Sequence, residues 1–101
     1  MSRRAKIEAM LEETPEDLFL NYALAMELVK ESDVPAARAA FSRVRTLNPD
    51  YVAAYFQEGQ LLAQTDLLAE SRTILQAGID VAKRIGDDHA LGEMSEFLES
   101  L

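Results

Sequence analysis

The chain has 101 residues, 49% of them apolar and 28% charged, a balance that suits one folded domain and excludes a disordered polar tract or a large catalytic unit with its own cofactor domain. A net charge of -8, from 18 acids and 10 bases, opposes nucleic acid and anionic membranes as partners, because phosphate recognition needs a concentrated positive surface. No cysteine is present, which excludes disulfides, thiolate nucleophiles, thiolate zinc sites and redox pairs.

With only 3 prolines and 4 glycines, helix is allowed almost throughout. Ile7, Met10 and Leu11 share one face of a leading helix placed at 7–14 and ended by Pro15. Thr14-Pro15-Glu16-Asp17 combines a cap, a first-turn proline and an acid three residues past the cap. It predicts a second helix from Pro15, carrying Leu18, Leu24, Ala25 and Leu28 and fading between Lys30 and Ser32. Asp33 caps a third, with Pro35 in its first turn and Ala37, Ala40, Phe41, Val44 and Leu47 at three-and-four spacing. Asn48-Pro49-Asp50 breaks the run, and Pro49 opens a fourth helix that carries Tyr55, Gly59 and Leu62 to near Gln64.

After Thr65-Asp66 a longer fifth helix, from about Leu67 to Arg84, carries Ser71, Ile74, Leu75, Gly78, Ile79 and Val81. Gly86 supplies a left-handed terminator, with Lys83 and Arg84 near the negative helix end. Asp87 or Asp88 caps a closing helix at 88–101 with a stripe of Leu91, Met94, Leu98 and Leu101. Six helices joined by short turns predict an all-α chain of antiparallel hairpins with no linker to divide domains. No apolar run is long enough to span a bilayer, and Arg3, Arg4 and Lys6 are followed by acids rather than by a signal-peptide core, so the expected location is cytoplasmic.

A period of 34 residues runs through the chain: it links Pro15 with Pro49, Ala25 with Gly59, Leu28 with Leu62, Ala37 with Ser71, Phe41 with Leu75 and Val44 with Gly78. This pattern resembles the tetratricopeptide repeat, whose unit is a pair of antiparallel helices. The resemblance implies a single domain, 1–101, built as an α-α solenoid, a superhelix of helix hairpins. Its parts would be the leading helix at 7–14, a first repeat at 18–51, a second at 52–85 and a closing helix at 88–101, much like small bacterial members of the family. Signature positions of the first repeat fall on Asn21, Leu24, Ala25, Leu28, Ala37, Phe41, Val44 and Pro49. Those of the second fall on Tyr55, Glu58, Gly59, Leu62, Ser71, Leu75, Gly78 and Lys83. Three depart from the family pattern: Asn21 stands where an aromatic is usual, Glu58 replaces an apolar residue, and Lys83 replaces a proline where the fifth helix runs on.

The family resemblance implies a binding scaffold in which the first helix of each repeat lines a concave groove. Groove positions are then Phe19, Tyr22, Met26, Val29 and Lys30 from one helix and Phe56, Gln60, Ala63 and Gln64 from the next. Phe19, Tyr22 and Met26 form an apolar face distinct from Leu24 and Leu28, and a second apolar face needs a second partner. That partner is a terminal helix of the same chain, a second copy, or a peptide or helix of another protein. The expected function is therefore non-catalytic protein-protein interaction, with apolar anchors in the groove and orientation from Gln60 and Gln64. The alternative is a homo-oligomeric structural subunit whose groove is covered by another copy. The lysine- and asparagine-rich clamp by which some family members hold a terminal carboxylate is not matched. Tyr22, Met26, Gln57 and Gln60 occupy that neighbourhood, which suits apolar anchors or a basic helix better.

Catalysis finds little support. His89 is the only histidine, with Asp87, Asp88 and Glu93 as neighbours, and reads as a polar surface residue near a helix start. Glu12-Glu13 and Glu16-Asp17 sit at a helix boundary, where dipole and solvation effects explain them. Glu58 is either partly exposed beside the groove or paired with an arginine such as Arg38. No enzyme activity, cofactor, metal or small-molecule substrate is expected. Charge is uneven, with Arg3, Arg4 and Lys6 at one end and Asp87, Asp88, Glu93, Glu96 and Glu99 at the other, which suits solvated ends or a head-to-tail contact between copies. Arg38, Arg43, Arg45 and Arg72 are scattered and form no stripe of the kind nucleic acid requires.

Overall fold

Four of the six helices begin where an oxygen-bearing side chain can take the N–H three residues on, as the computed structural model, which describes residues 1–101, makes plain. The elements are α1 (Arg3–Glu13), α2 (Leu18–Lys30), α3 (Val34–Leu47), α4 (Val52–Gln64), α5 (Leu68–Ile85) and α6 (Asp88–Glu99). Ser2 Oγ accepts from Ala5 N at 3.1 Å, Asp17 Oδ1 from Leu20 N at 2.8 Å, Asp33 Oδ1 from Ala36 N at 3.2 Å and Asp87 Oδ1 from Ala90 N at 3.0 Å. α4 and α5 start without a side-chain cap, after Tyr51 and Leu67. The fold class is the expected one: all-α, six helices, neighbours paired as hairpins.

Several boundaries differ from expectation, and caps explain most of them. α1 begins at Arg3, not at Ile7, because Ser2 caps a first turn that has no large apolar residue to announce it. α2 begins at Leu18, not at Pro15: Asp17 outcompetes Thr14 as the cap, while the Thr14 hydroxyl donates back to Met10 O at 3.1 Å and closes α1. α4 likewise begins at Val52, with Pro49 left in the preceding turn, and α6 ends at Glu99, leaving Leu101 beyond the helix. Gly86 is left-handed at φ 76°, as its place after α5 requires.

The 34-residue period reappears in the backbone. Ser32 and Asp66 are the two non-glycine residues with positive φ, at 60° and 61°, and each lies between the helices of a hairpin. Behind them Asp33 N donates to Leu28 O at 3.1 Å and Leu67 N to Leu62 O at 2.8 Å, the same helix-terminating bond one period apart. The departure at Asn21 is also explained. Tyr55 donates its hydroxyl to Pro49 O at 2.8 Å, and Asn21, one period earlier, donates Nδ2 to Pro15 O at 3.1 Å and to Asp17 O at 2.7 Å. A short amide replaces the aromatic yet ties its helix to the equivalent proline carbonyl.

The helices group into two compact units, Met1–Asn48 and Pro49–Leu101. In the first, α1 packs on α2 and α2 on α3, burying Ile7, Ala25, Leu28, Ala37, Ala40, Phe41 and Val44. Arg3 and Arg4 of α1 reach across to Glu27 of α2 and to Glu31 just beyond its end, at 2.6 and 2.9 Å, so the basic end is paired within its own unit. In the second, α5 lies between α4 and α6 around a core of Tyr55, Leu75, Ile79, Ala82 and Met94. Helix approach there is limited by backbone size. A Cβ on Gly59 would stand 2.6 Å from a Leu75 methyl, and one on Gly78 would stand 2.6 Å from both Tyr55 Cβ and Met94 Sδ. The buried Ser71 hydroxyl spans the same contact, donating to Gly59 O at 2.7 Å. Glu58 is not partly exposed beside a groove: only 1% of it reaches solvent, with Ala54 and Leu61 buried on the same side of α4.

Candidate functional site

Three-and-four spacing along α2 sorts its residues onto two faces. Asn21, Ala25 and Leu28 turn into the unit, while Phe19, Tyr22, Met26 and Lys30 run along the flank. Tyr22 is half-buried and rests edge-on against Phe41 of α3, with ring centroids 6.4 Å apart. Met26 and Val29 are also half-buried. Phe19, by contrast, is 71% exposed and is the one aromatic ring among the exposed large apolar side chains. Lys30, the cation expected there, lies 3.4 Å from Glu27, which also binds Arg3. This flank therefore carries apolar surface with little unbalanced positive charge.

In the second unit, Phe56, Gln60 and Ala63 of α4 are half-buried and Gln64 is exposed at the helix end. Phe56 has a partner that periodicity alone did not assign: Phe97 of α6 meets it edge-on, with centroids 5.9 Å apart. At this position the closing helix supplies part of the cover that a second apolar face demands.

Between α4 and α6 lies a recess of about 460 Å³, floored by Val52, Ala53, Phe56 and Ala90. Its polar lining comes from the amides of Gln57 and Gln60 on α4 and from Asp87, His89 and Glu93 on α6. His89 Nε2 is 3.2 Å from Glu93 Oε1, one helical turn away, and remains 87% exposed. A shallower hollow of about 600 Å³ between α5 and α6 includes Arg72, Asp80 and Leu98 and none of the expected groove residues. No three histidine, aspartate or glutamate side chains converge in a metal-binding arrangement, and no helix is long and apolar enough to cross a membrane.

The α6 contribution is what sequence reasoning missed. By sequence His89, with Asp87, Asp88 and Glu93 as neighbours, reads as a polar surface residue near a helix start, whereas the structure brings Asp87, His89 and Glu93 alongside Gln57 and Gln60. The signal was available in the apolar stripe of α6. Burying Met94, and packing Leu91 and Leu98 on the core, brings the start of α6 alongside α4.

No protein-family model matches the chain, and no curated protein matches it. Solved structures do. A solution structure from Bordetella parapertussis superposes with a TM-score of 0.86 at 22% identity, covering 99% of this chain and 87% of that one, which speaks to the fold alone. A crystal structure of a tetratricopeptide repeat domain protein from Salinibacter ruber matches with a TM-score of 0.72 and 31% identity, covering 83% of this chain and 93% of that one. A solution structure of a tetratricopeptide repeat domain protein from the same organism gives a TM-score of 0.77 and 32% identity, covering 85% of this chain and 87% of its counterpart. With identity at that level over most of both chains, on a fold whose turns and proline contacts recur every 34 residues, the chain belongs to the tetratricopeptide repeat family.

Proposed function

We propose that the chain is a non-catalytic protein-binding module that receives an apolar anchor from a peptide or helix of another protein on the flank of α2. The carrying observation is Phe19, an aromatic ring 71% exposed at helical spacing from the half-buried Tyr22 and Met26. Covering such a ring contributes about 1.5–3 kcal/mol, enough to act as a binding anchor when its neighbours are already held in place. Membership of a family of helical-hairpin scaffolds supports the same reading. The paired charges of Lys30, Glu27 and Arg3 form a rim around apolar surface rather than a site for a carboxylate.

Selection from a random peptide library tests this reading, with the Phe19→Glu chain as counter-target. Phe19 is 71% exposed, so the variant should unfold at close to the same urea concentration as wild type. Enriched peptides should carry large apolar side chains and bind wild type at least about tenfold more tightly than Phe19→Glu. Sedimentation equilibrium of both chains separates the homo-oligomeric alternative. A wild-type dimer that Phe19→Glu dissociates would assign the flank to self-association and remove the peptide site.

A further inference from the structure

We propose that the recess between α4 and α6 is a seat for a basic side chain, arginine or lysine, presented by a protein partner. The inference rests on the protein-binding reading above and gives the partner a chemistry. The floor formed by Val52, Ala53, Phe56 and Ala90 suits the aliphatic stem that both basic residues carry. Around it stand acceptors: the side-chain amides of Gln57 and Gln60, a turn apart on α4, and the half-exposed carboxylate of Glu93 on α6. No lysine or arginine lines the recess, and the chain as a whole is acidic at -8, so field and lining agree in sign.

An anion is the competing occupant, since α6 starts at the recess and a helix start attracts negative charge. Asp87 already fills that role: its carboxylate takes the Ala90 N–H at 3.0 Å and places a negative charge where an anion would sit. His89 adds a positive charge only when protonated, and then its partner is Glu93 at 3.2 Å. The volume, about 460 Å³, exceeds one side chain, so there is room for a basic residue together with a neighbouring side chain.

The test is an NMR titration of the full chain, labelled with nitrogen-15, using acetyl-Leu-Arg-amide and its neutral counterpart acetyl-Leu-citrulline-amide. The arginine probe should shift the backbone amides of Ala53, Gln57, Ala90 and Glu93 and saturate at about fivefold lower concentration than the citrulline probe. Glu93→Gln, whose own spectrum shows whether it folds, should abolish that difference. His89→Ala, which releases Glu93, should preserve or enlarge it. Equal binding of the two probes, or an unchanged preference in Glu93→Gln, overturns the proposal. If the arginine probe leaves the recess unshifted while acetyl-Leu-Leu-Phe-amide perturbs amides around Phe19, the seat is refuted and the protein-binding reading stands. If no probe perturbs either place, both fall.

Discussion

Arg84 donates through its guanidinium to Asp50, the residue that occupies its own place one 34-residue period earlier. Equivalent positions of two successive periods thus carry opposite charges and meet. The hydrogen bond from Arg84, reinforced by its charge and opposed by some desolvation, holds the Asp50 carboxyl below its ordinary value of 3.8. The same contact raises Arg84 further above an already high value, beyond any pH at which the fold would be studied.

A carboxyl whose value is lowered by folding stabilises the folded state above its unfolded value and loses that contribution as pH falls through the folded one. Asp50→Asn should therefore be less stable than wild type at neutral pH. The gap should close below pH 3.8, as Asp50 becomes protonated in both states. Both side chains are about half-exposed to water, so the difference is small and should shrink with added salt. Urea unfolding at two pH values and two salt concentrations reads it directly.

Asn21 should be among the more sensitive polar positions in the first unit. It is buried, and its amide nitrogen serves two carbonyls, those of Pro15 and Asp17. Asn21→Ala should lower stability by about 1–2 kcal/mol through the lost hydrogen bonds. Asn21→Asp keeps the shape but turns an acceptor toward two acceptors, so it should be worse than alanine at neutral pH. It should recover at acid pH, where the protonated carboxyl can donate. Denaturation curves of the three proteins at pH 4 and pH 7 decide the order.

Gly78 and Gly92 should respond to the same change with opposite signs. Alanine at 78 would press against Tyr55 Cβ, close to the main chain, and against Met94, so Gly78→Ala should destabilise by about 1–3 kcal/mol. Alanine at 92 meets nothing within 4 Å inside α6 and should stabilise by about 0.5–1 kcal/mol. Thermal melts of the two variants suffice.

Ser32 and Asp66 hold a left-handed backbone that glycine adopts more easily. Ser32→Gly and Asp66→Gly should each stabilise by about 0.5–1 kcal/mol, with strain relief partly offset by greater freedom of the unfolded chain. Gly86→Ala, at φ 76°, should destabilise by about 1 kcal/mol. Urea midpoints of the three single variants test whether these turns behave alike.

Spacing made the hairpins legible, because close helix contact restricts Ala25, Gly59, Ala37, Ser71 and Gly78 to small side chains, and such restrictions survive in a single sequence. Helix starts were less legible. Thr14 and Asp17 are both competent caps three residues apart, and local chemistry alone did not rank them. Ser2 caps a turn of three basic residues and one alanine that leaves no large apolar trace. The flank of α2 could be read from periodicity, since Phe19 and Tyr22 differ in register from Asn21 and Ala25. The recess could not, because it depends on where α6 settles, and that follows from tertiary packing of Met94 and from the Phe97 ring on Phe56.

Gly59 and Leu75 are bound together in another sense. With a Leu75 methyl 2.6 Å from where a Cβ on residue 59 would lie, the two positions are not free to drift separately. In the first hairpin the equivalent places hold Ala25 and Phe41, both fully buried and each larger than its counterpart. Enlarging residue 59 first creates a clash, whereas trimming or reorienting residue 75 first opens the room that a methyl group then fills. Mutational history at these two sites is therefore expected to be directional, with position 75 moving ahead of position 59.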